Sequence, residues 1–320
     1  MKNLDILVCT SAGVEAVTKR ELFKLGINDC PATDGRLAFK GDLQDLCECN
    51  VNLRTADRVL IKIAEFSAET FDELFDGIFA INWRDWLSVD QRVVVSAKSV
   101  KSKLFALSSL QSLGKKAIVE KLKKSYRVGT IDEKGSEAKI EISLKNDLAT
   151  ICIDASGDGL HKRGYRDLVG AAPLKETLAA AMIMLSVWNP DRPFVDLFCG
   201  SGTLPIEAAM IGLNVAPNVN RNFAMQNFKF FDNAVLEQTL QKARDSVEER
   251  PLKIFGFDID QNAISLSLRH AKRAGVQEHI HFQRQDFKDF SSKSKYGVIV
   301  SNPPYGERLM TEKEVRFLYK

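Results

Sequence analysis

The residues best suited to chemistry fall at four places that share one pattern, an apolar run ending in a polar residue. Phe194-Val195-Asp196-Leu197-Phe198-Cys199-Gly200-Ser201-Gly202-Thr203 reads as a buried strand that stops at an acid, turns on two glycines and enters a helix. Ile254-Phe255-Gly256-Phe257-Asp258 and the stretch from His281 to Asp286 are two further runs ending in acids. Tyr296-Gly297-Val298-Ile299-Val300-Ser301 leads directly into Asn302-Pro303-Pro304-Tyr305. Ligands of open parallel sheets bind at the carboxyl ends of strands, and glycines in the first turn let a backbone approach a nucleotide-like group. Taken singly, each acid is also an ordinary helix cap, and Gly-x-Gly an ordinary turn. The ordered set predicts one crevice lined by Asp196, Asp258, Asp286 and the Asn302 turn.

This set resembles the class I methyltransferases that use S-adenosylmethionine, in the branch acting on exocyclic amino groups of bases. That branch carries (Asn/Asp/Ser)-Pro-Pro-(Tyr/Phe/Trp) at its fourth strand end, matched here by Asn302, Pro303, Pro304 and Tyr305. Over essentially its whole length the chain resembles the bacterial THUMP-domain guanine-N2 methyltransferases of 23S ribosomal RNA, a family also described as N6-adenine-specific DNA methylases. The resemblance implies an α/β fold: a Rossmann-like class I methyltransferase sheet preceded by α+β ferredoxin-like and THUMP domains. It also implies roles. Asp196 lies near the methionine ammonium, and the turn of Phe198, Gly200, Ser201, Gly202 and Thr203 cradles the methionine and ribose parts. Asp258 takes the ribose hydroxyls. Asp286 takes the adenine amino group between Ile259 and Phe287, with Asn302 beside the donor. The Asn302 side-chain oxygen and the Pro303 carbonyl accept the target amine's two N–H bonds. Pro304 stiffens the turn, and Tyr305 stacks on the base.

The elements that position these residues follow along the chain. With 320 residues, 45% of them hydrophobic, the chain can build two or three domains. The resemblance divides them into residues 1–56 (ferredoxin-like), 57–158 (THUMP, RNA-binding) and 159–320 (methyltransferase). Residues 4–10 read as a strand, 15–25 as a helix, 27–32 and 36–39 as a hairpin about Asp34-Gly35, and Asp42 as the cap of a second helix. A strand over 59–66, an amphipathic helix around Phe71 to Phe79, a strand over 92–97, a helix over 107–126 and a hairpin over 139–154 come next. Pro173 opens a further helix. Between the first two strands of the catalytic sheet, residues 212–251 are far more than a crossover helix needs. Within them 234–249 reads as a helix, and the polar stretch around Asn218 to Phe223 as a loop near the crevice that fills space or touches substrate. Family members continue past residue 320 by about three strands, so the methyltransferase domain is expected to be C-terminally truncated here, its sheet edge open and its activity in question.

Charge is concentrated. The net charge is +3, yet residues 91–129 hold ten basic residues and the single acid Glu120, so the remainder sums to −6. Such a cluster suits phosphate contacts, although a solvated helix face has the same composition. Lys98, Lys101, Lys115, Lys116, Lys123, Lys124, Arg163 and Arg166 are the candidate RNA contacts. Six cysteines, with no Cys-x-x-Cys pair and no matching histidines, predict reduced thiols and no metal. No long apolar run or export signal is present, which predicts no membrane partner and a cytoplasmic protein. Nothing in the residues sets an oligomeric state.

The expected partner is therefore 23S ribosomal RNA and the expected cofactor S-adenosylmethionine. Adenine-N6 methylation of DNA or RNA uses the same four residues. A non-catalytic RNA-binding assembly factor would carry the same N-terminal modules. A nicotinamide dehydrogenase fits less well, because the glycine pattern ends in Pro205 rather than a third glycine.

Overall fold

The structure, a computed structural model, describes residues 3–166 and 174–304. β1 (Leu4–Thr10) alternates as a half-covered strand should, with Ile6 and Val8 fully buried. After α1 (Glu15–Lys24), the hairpin of β2 (Ala32–Thr33) and β3 (Arg36–Gly41) turns on Asp34 and Gly35, both at positive φ. Its first strand is shorter than the expected 27–32, because Pro31 has no N–H to give to a ladder. The helix α2 (Leu43–Asn52) starts on a complete capping box. The Asp42 carboxylate accepts from the Gln44 and Asp45 amides at 2.8 and 3.1 Å, and Asp45 accepts from the Asp42 amide at 2.9 Å.

There follow β4 (Ala56–Ser67), α3 (Phe71–Ala80), β5 (Arg92–Val100), α4 (Leu107–Tyr126), β6 (Glu137–Lys145) and β7 (Leu148–Asp154). Together these strands form one sheet in the order β2-β3-β1-β4-β7-β6-β5, antiparallel except for β5 and β6, which α4 joins by a crossover. Twelve-residue β4 pairs with β1 on one side and β7 on the other. Residues 3–56 and 57–158 therefore share a sheet, and one apolar core runs beneath both.

The second sheet is built from α5 (Glu176–Leu185), β8 (Phe194–Asp196), α6 (Thr203–Gly212), α7 (Asn233–Asp245), β9 (Ile254–Asp258), α8 (Gln261–Arg273), β10 (Ile280–Arg284) and β11 (Val298–Ile299). Its order is β10-β9-β8-β11, all parallel. Chain order reverses between β8 and β11, and such a switch point opens a crevice at the carboxyl ends. The last strand is briefer than the expected 296–301, Tyr296 being left-handed at φ 62°, yet the Val300 amide still reaches the Val195 carbonyl at 3.0 Å. The helix expected from Pro173 begins at Glu176; Pro173 itself lies outside the described residues.

The insertion between β8 and β9 is not filler. Phe223, Met225, Phe228, Leu236 and Leu240 are buried in the core of the N-terminal sheet, and α7 lies along α2. Gln44 bonds Thr239 at 3.1 Å, Lys242 pairs with Glu48 at 2.8 Å, and the Met225 amide donates to the Ala155 carbonyl at 2.9 Å. The Arg221 guanidinium caps the carbonyls of Asp158 and Gly159 at 2.6 and 2.9 Å. The segment fastens the N-terminal unit to the catalytic sheet. Met225→Ala, which empties a fully buried site, should cost roughly 2–5 kcal/mol in urea unfolding; a midpoint like that of the unsubstituted protein would show that the insertion does not anchor the two parts.

Candidate active site

The carboxyl edge of the parallel sheet is tied together by short polar contacts. Asp196, the last residue of β8, is 1% exposed, and its carboxylate accepts from the Phe198 amide at 3.1 Å and from the Ser301 hydroxyl. Ser301 in turn accepts from the Leu197 amide at 2.8 Å, so the end of β11 is bound to the end of β8 one residue before Asn302. Burial pushes the Asp196 carboxyl up to about 7, against the lowering effect of those hydrogen bonds.

The glycine turn that follows binds the next strand. The Gly200 amide donates to Asp258 Oδ2 at 2.9 Å, and the Cys199 amide to the Phe257 carbonyl at 2.8 Å. Both glycines have positive φ, 51° at Gly200 and 83° at Gly202. At Gly202 space is limiting as well: a Cβ there would lie 3.0 Å from Ser267 Cβ and 3.1 Å from the Phe282 ring. Beyond β10, Asp286 starts a 3-10 turn by accepting from the Lys288 amide at 3.0 Å, which brings the Phe287 ring to 5.1 Å from that of Phe198. Ile259, just past Asp258, stands 63% exposed.

The structure thus joins Asp196, Phe198, Gly200, Asp258, Phe287 and, through Ser301, Asn302 along one edge. Asn302 is exposed, Pro303 and Pro304 are half-buried, and Tyr305 lies outside the described residues. Thr203 is buried and its hydroxyl accepts from the Arg166 guanidinium. Here an expectation fails. Arg163 and Arg166 are not RNA contacts, because both guanidinium groups are turned inward. Arg163 pairs with Glu207 at 3.4 Å where both side chains are at most 1% exposed, and it also donates to the Leu160 and Arg54 carbonyls. Arg166 pairs with Glu176 at 3.5 Å and donates to the Leu174 carbonyl at 3.0 Å.

The basic cluster also divides. Lys98 lies on the sheet face away from α4, paired with Glu141 at 2.8 Å, and Lys115 is paired with Glu133 at 2.9 Å. Lys101, Lys116, Lys123 and Lys124 make no ion pair among the described residues, and Lys116 and Lys124 lie over the Phe75 and Phe79 rings at 6.0 and 5.7 Å. Sequence reasoning missed Ser301, Ser267 and His270. The signal for the last two was available, since both are polar positions on the buried stripe of an amphipathic helix that also carries Ile264 and Ala271.

These groups fit an S-adenosylmethionine-like ligand. Three carboxylates stand at or just past successive strand ends, Ile259 and Phe287 follow two of them in the chain, and the Cβ position of Gly200 is open. Among the described residues, no cluster of three or more His, Cys, Asp or Glu could hold a metal ion, and no helix is long and apolar enough to cross a membrane. All six cysteines are free thiols.

Three family models cover the chain: an RlmL ferredoxin-like domain over residues 5–60, a THUMP domain over 68–154 and an RMKL-like methyltransferase domain over 163–320. YpsC of Bacillus subtilis (strain 168), provisionally named as an RNA methyltransferase, is 46% identical over 100% of this chain and 84% of its own length. The chain belongs to this family of THUMP-containing methyltransferases. Ribosomal RNA large subunit methyltransferase K/L of Photobacterium profundum is 34% identical over 98% of this chain, which spans only 45% of that longer protein. A crystal structure of SMU.472, provisionally named a methyltransferase and complexed with SAH, superposes with a TM-score of 0.92 at 42% identity, covering 100% of this chain and 85% of that one.

The buried Asp196 carboxyl has a consequence for stability. Its pKa is about 7 in the folded protein against 3.8 for a free group, so between these values the folded state holds a proton that the unfolded chain has lost. The resulting stabilisation is complete below the lower value and is lost as pH rises through the upper one; it is at most about 4 kcal/mol. Asp196→Asn keeps the acceptor for the Phe198 amide and never ionises. Its stability relative to the unsubstituted protein should therefore rise from about pH 4 to about pH 7 and stay level above; parallel urea midpoints for the two proteins would refute the buried proton.

Proposed function

We propose that the protein is an S-adenosylmethionine-dependent RNA methyltransferase that modifies the N2 amine of a guanine in 23S ribosomal RNA. The observation that carries this is the Ser301 link, which holds Asn302 at the same edge as the buried Asp196 and the glycine turn bound by Asp258. The family models and the SAH-bound relative support the cofactor, and the K/L relative supports ribosomal RNA.

When bound, S-adenosylmethionine supplies a methyl group on a positively charged sulfur. The chain's own part is to orient, to accept hydrogen bonds and to exclude water. Asp196, poised near neutrality, takes its charged form when an ammonium lies beside it. Asp258 spends one lone pair per oxygen on the amides of Gly200 and Asp260, leaving further acceptor capacity for a ribose diol. Ile259 and Phe287 flank the adenine, and Asp286 Oδ2 has no partner among the described residues and is left to accept from its amino group. An exocyclic amine is a poor nucleophile because its lone pair is delocalised into the ring. The Asn302 side-chain oxygen and the Pro303 carbonyl accept its two N–H bonds and draw the nitrogen toward tetrahedral geometry. Pro304 holds the turn rigid and Tyr305 stacks on the base.

Incubation with methyl-labelled S-adenosylmethionine and unmodified ribosomal RNA or DNA, followed by nucleoside analysis, tests the reading. N2-methylguanosine is expected. N6-methyladenine would move the target to adenine, and donor binding without transfer would leave an RNA-binding assembly factor. Asn302→Ala should reduce transfer by at least about a hundredfold while leaving donor affinity within about threefold, since it orients only the acceptor; equal loss of both would place Asn302 in the donor site. The lysines of α4 carry the RNA contact. Replacing Lys116, Lys123 and Lys124 by Gln should lower the slope of log K against log salt by about 2–3, and an unchanged slope would mark the helix face as merely solvated.

A further inference from the structure

The turn between β8 and α6 does not hold its own shape; one face of α8 holds it. Ser267 Oγ donates to the Gly200 carbonyl at 2.7 Å, sharing its proton with the Ala263 carbonyl one turn back at 2.9 Å. Three residues later, His270 Nδ1 lies 3.1 Å from the Ser201 carbonyl. A carbonyl oxygen only accepts, so Nδ1 carries the proton in this contact. Residues three apart share a helix face, so α8 grips two successive carbonyls of the turn. Both side chains are fully buried, and the His270 ring packs against Tyr165 at 6.4 Å.

Fixing two carbonyls fixes two peptide planes, because the peptide unit is rigid and its N–H points opposite to its C=O. The Gly202 N–H is used within the turn, donating to the Cys199 carbonyl at 2.8 Å. The Ser201 N–H shares a plane with the Gly200 carbonyl. With that oxygen drawn toward Ser267, the Ser201 N–H is aimed away from α8, and it has no acceptor among the described residues. It is the donor left over for a ligand. The close approach at Gly202 permits this grip, since a side chain there would push Ser267 off the turn.

We propose that Ser267 and His270 are positioning residues for the cofactor: they touch no ligand, but they set the direction in which the 200–202 turn offers its backbone donor. The inference rests on the reading of this turn as the S-adenosylmethionine seat.

Titration calorimetry with S-adenosylhomocysteine as the probe separates the two ideas. The amide nitrogen of Asn occupies the place of His Nδ1, whereas that of Gln mimics Nε2. His270→Asn should therefore bind within about twofold of the unsubstituted protein, while His270→Gln and Ser267→Ala each bind roughly five- to tenfold more weakly. Recovery by Asn and not by Gln is a signature that a purely packing role would not give. If the unsubstituted protein binds and both Gln and Ala variants bind equally well, the inference falls and the functional reading stands. Equal losses for Asn and Gln likewise overturn the role of His270. An unsubstituted protein that takes no S-adenosylhomocysteine overturns the functional reading and this inference with it. Should His270→Gln fail to fold, Ser267→Ala, which removes a single oxygen, decides the question alone.

Discussion

A helix lying within van der Waals distance of a backbone is the constraint from which the catalytic half of this molecule is built. The chain must leave β8 at Asp196 and re-enter as α6 at Thr203, and α8 stands against the turn that does so. Phe282 of β10 fills the space below, where a side chain at Gly202 would come within 3.1 Å of it and one at Gly256 within 2.7 Å. A glycine in the turn and another in β9 thus admit one aromatic ring, which packs β10 against both. Larger side chains would have to displace a packed ring and helix backbone, and such interiors resist even small changes in volume.

A second theme is buried charge at the seam between the N-terminal unit and the catalytic sheet. Glu207 of α6 is fully buried and accepts from Arg163 and from the Tyr165 hydroxyl at 3.2 Å. Arg163 reaches across to the Arg54 carbonyl, and the Arg54 amide donates to Glu21 Oε1 at 2.8 Å. Breaking one partner of such a pair leaves an uncompensated charge and costs roughly 3–5 kcal/mol. The arrangement specifies one relative placement of the two units more than it adds net stability.

Much of this was legible in the sequence because strong local signals agree with the tertiary context. The strand 4–10, the helix 107–126 and the run 254–258 are found with the expected bounds. The carboxylates at three strand ends fell at one edge because side-chain alternation and strand direction leave them no other place. What failed were inferences about partners distant in sequence. Arg163 and Arg166 lie in a basic heptapeptide that reads as surface, and only the fold reveals the buried Glu207 and Glu176 that claim them. Lys98 counted toward one basic cluster, yet strand alternation puts it on the face opposite α4. Phe223, Phe228 and Leu240 carried an apolar signal, but the core that receives them belongs to the N-terminal sheet, far earlier in the chain, which no local window contains.

The sheet that runs without a linker from the first domain into the second, and the insertion that bolts it to the catalytic half, have a consequence for how a target is chosen. A tethered module would let the pocket search any nucleotide within the radius of its leash. Here the surface of α4 and the crevice are instead held on one continuous framework, so under the proposed function they would act as the two jaws of a caliper. An RNA gripped by one jaw presents to the other only the base at a set span along its folded path. Under that reading, distance along the folded RNA would select the target base, with few contacts to the letters between.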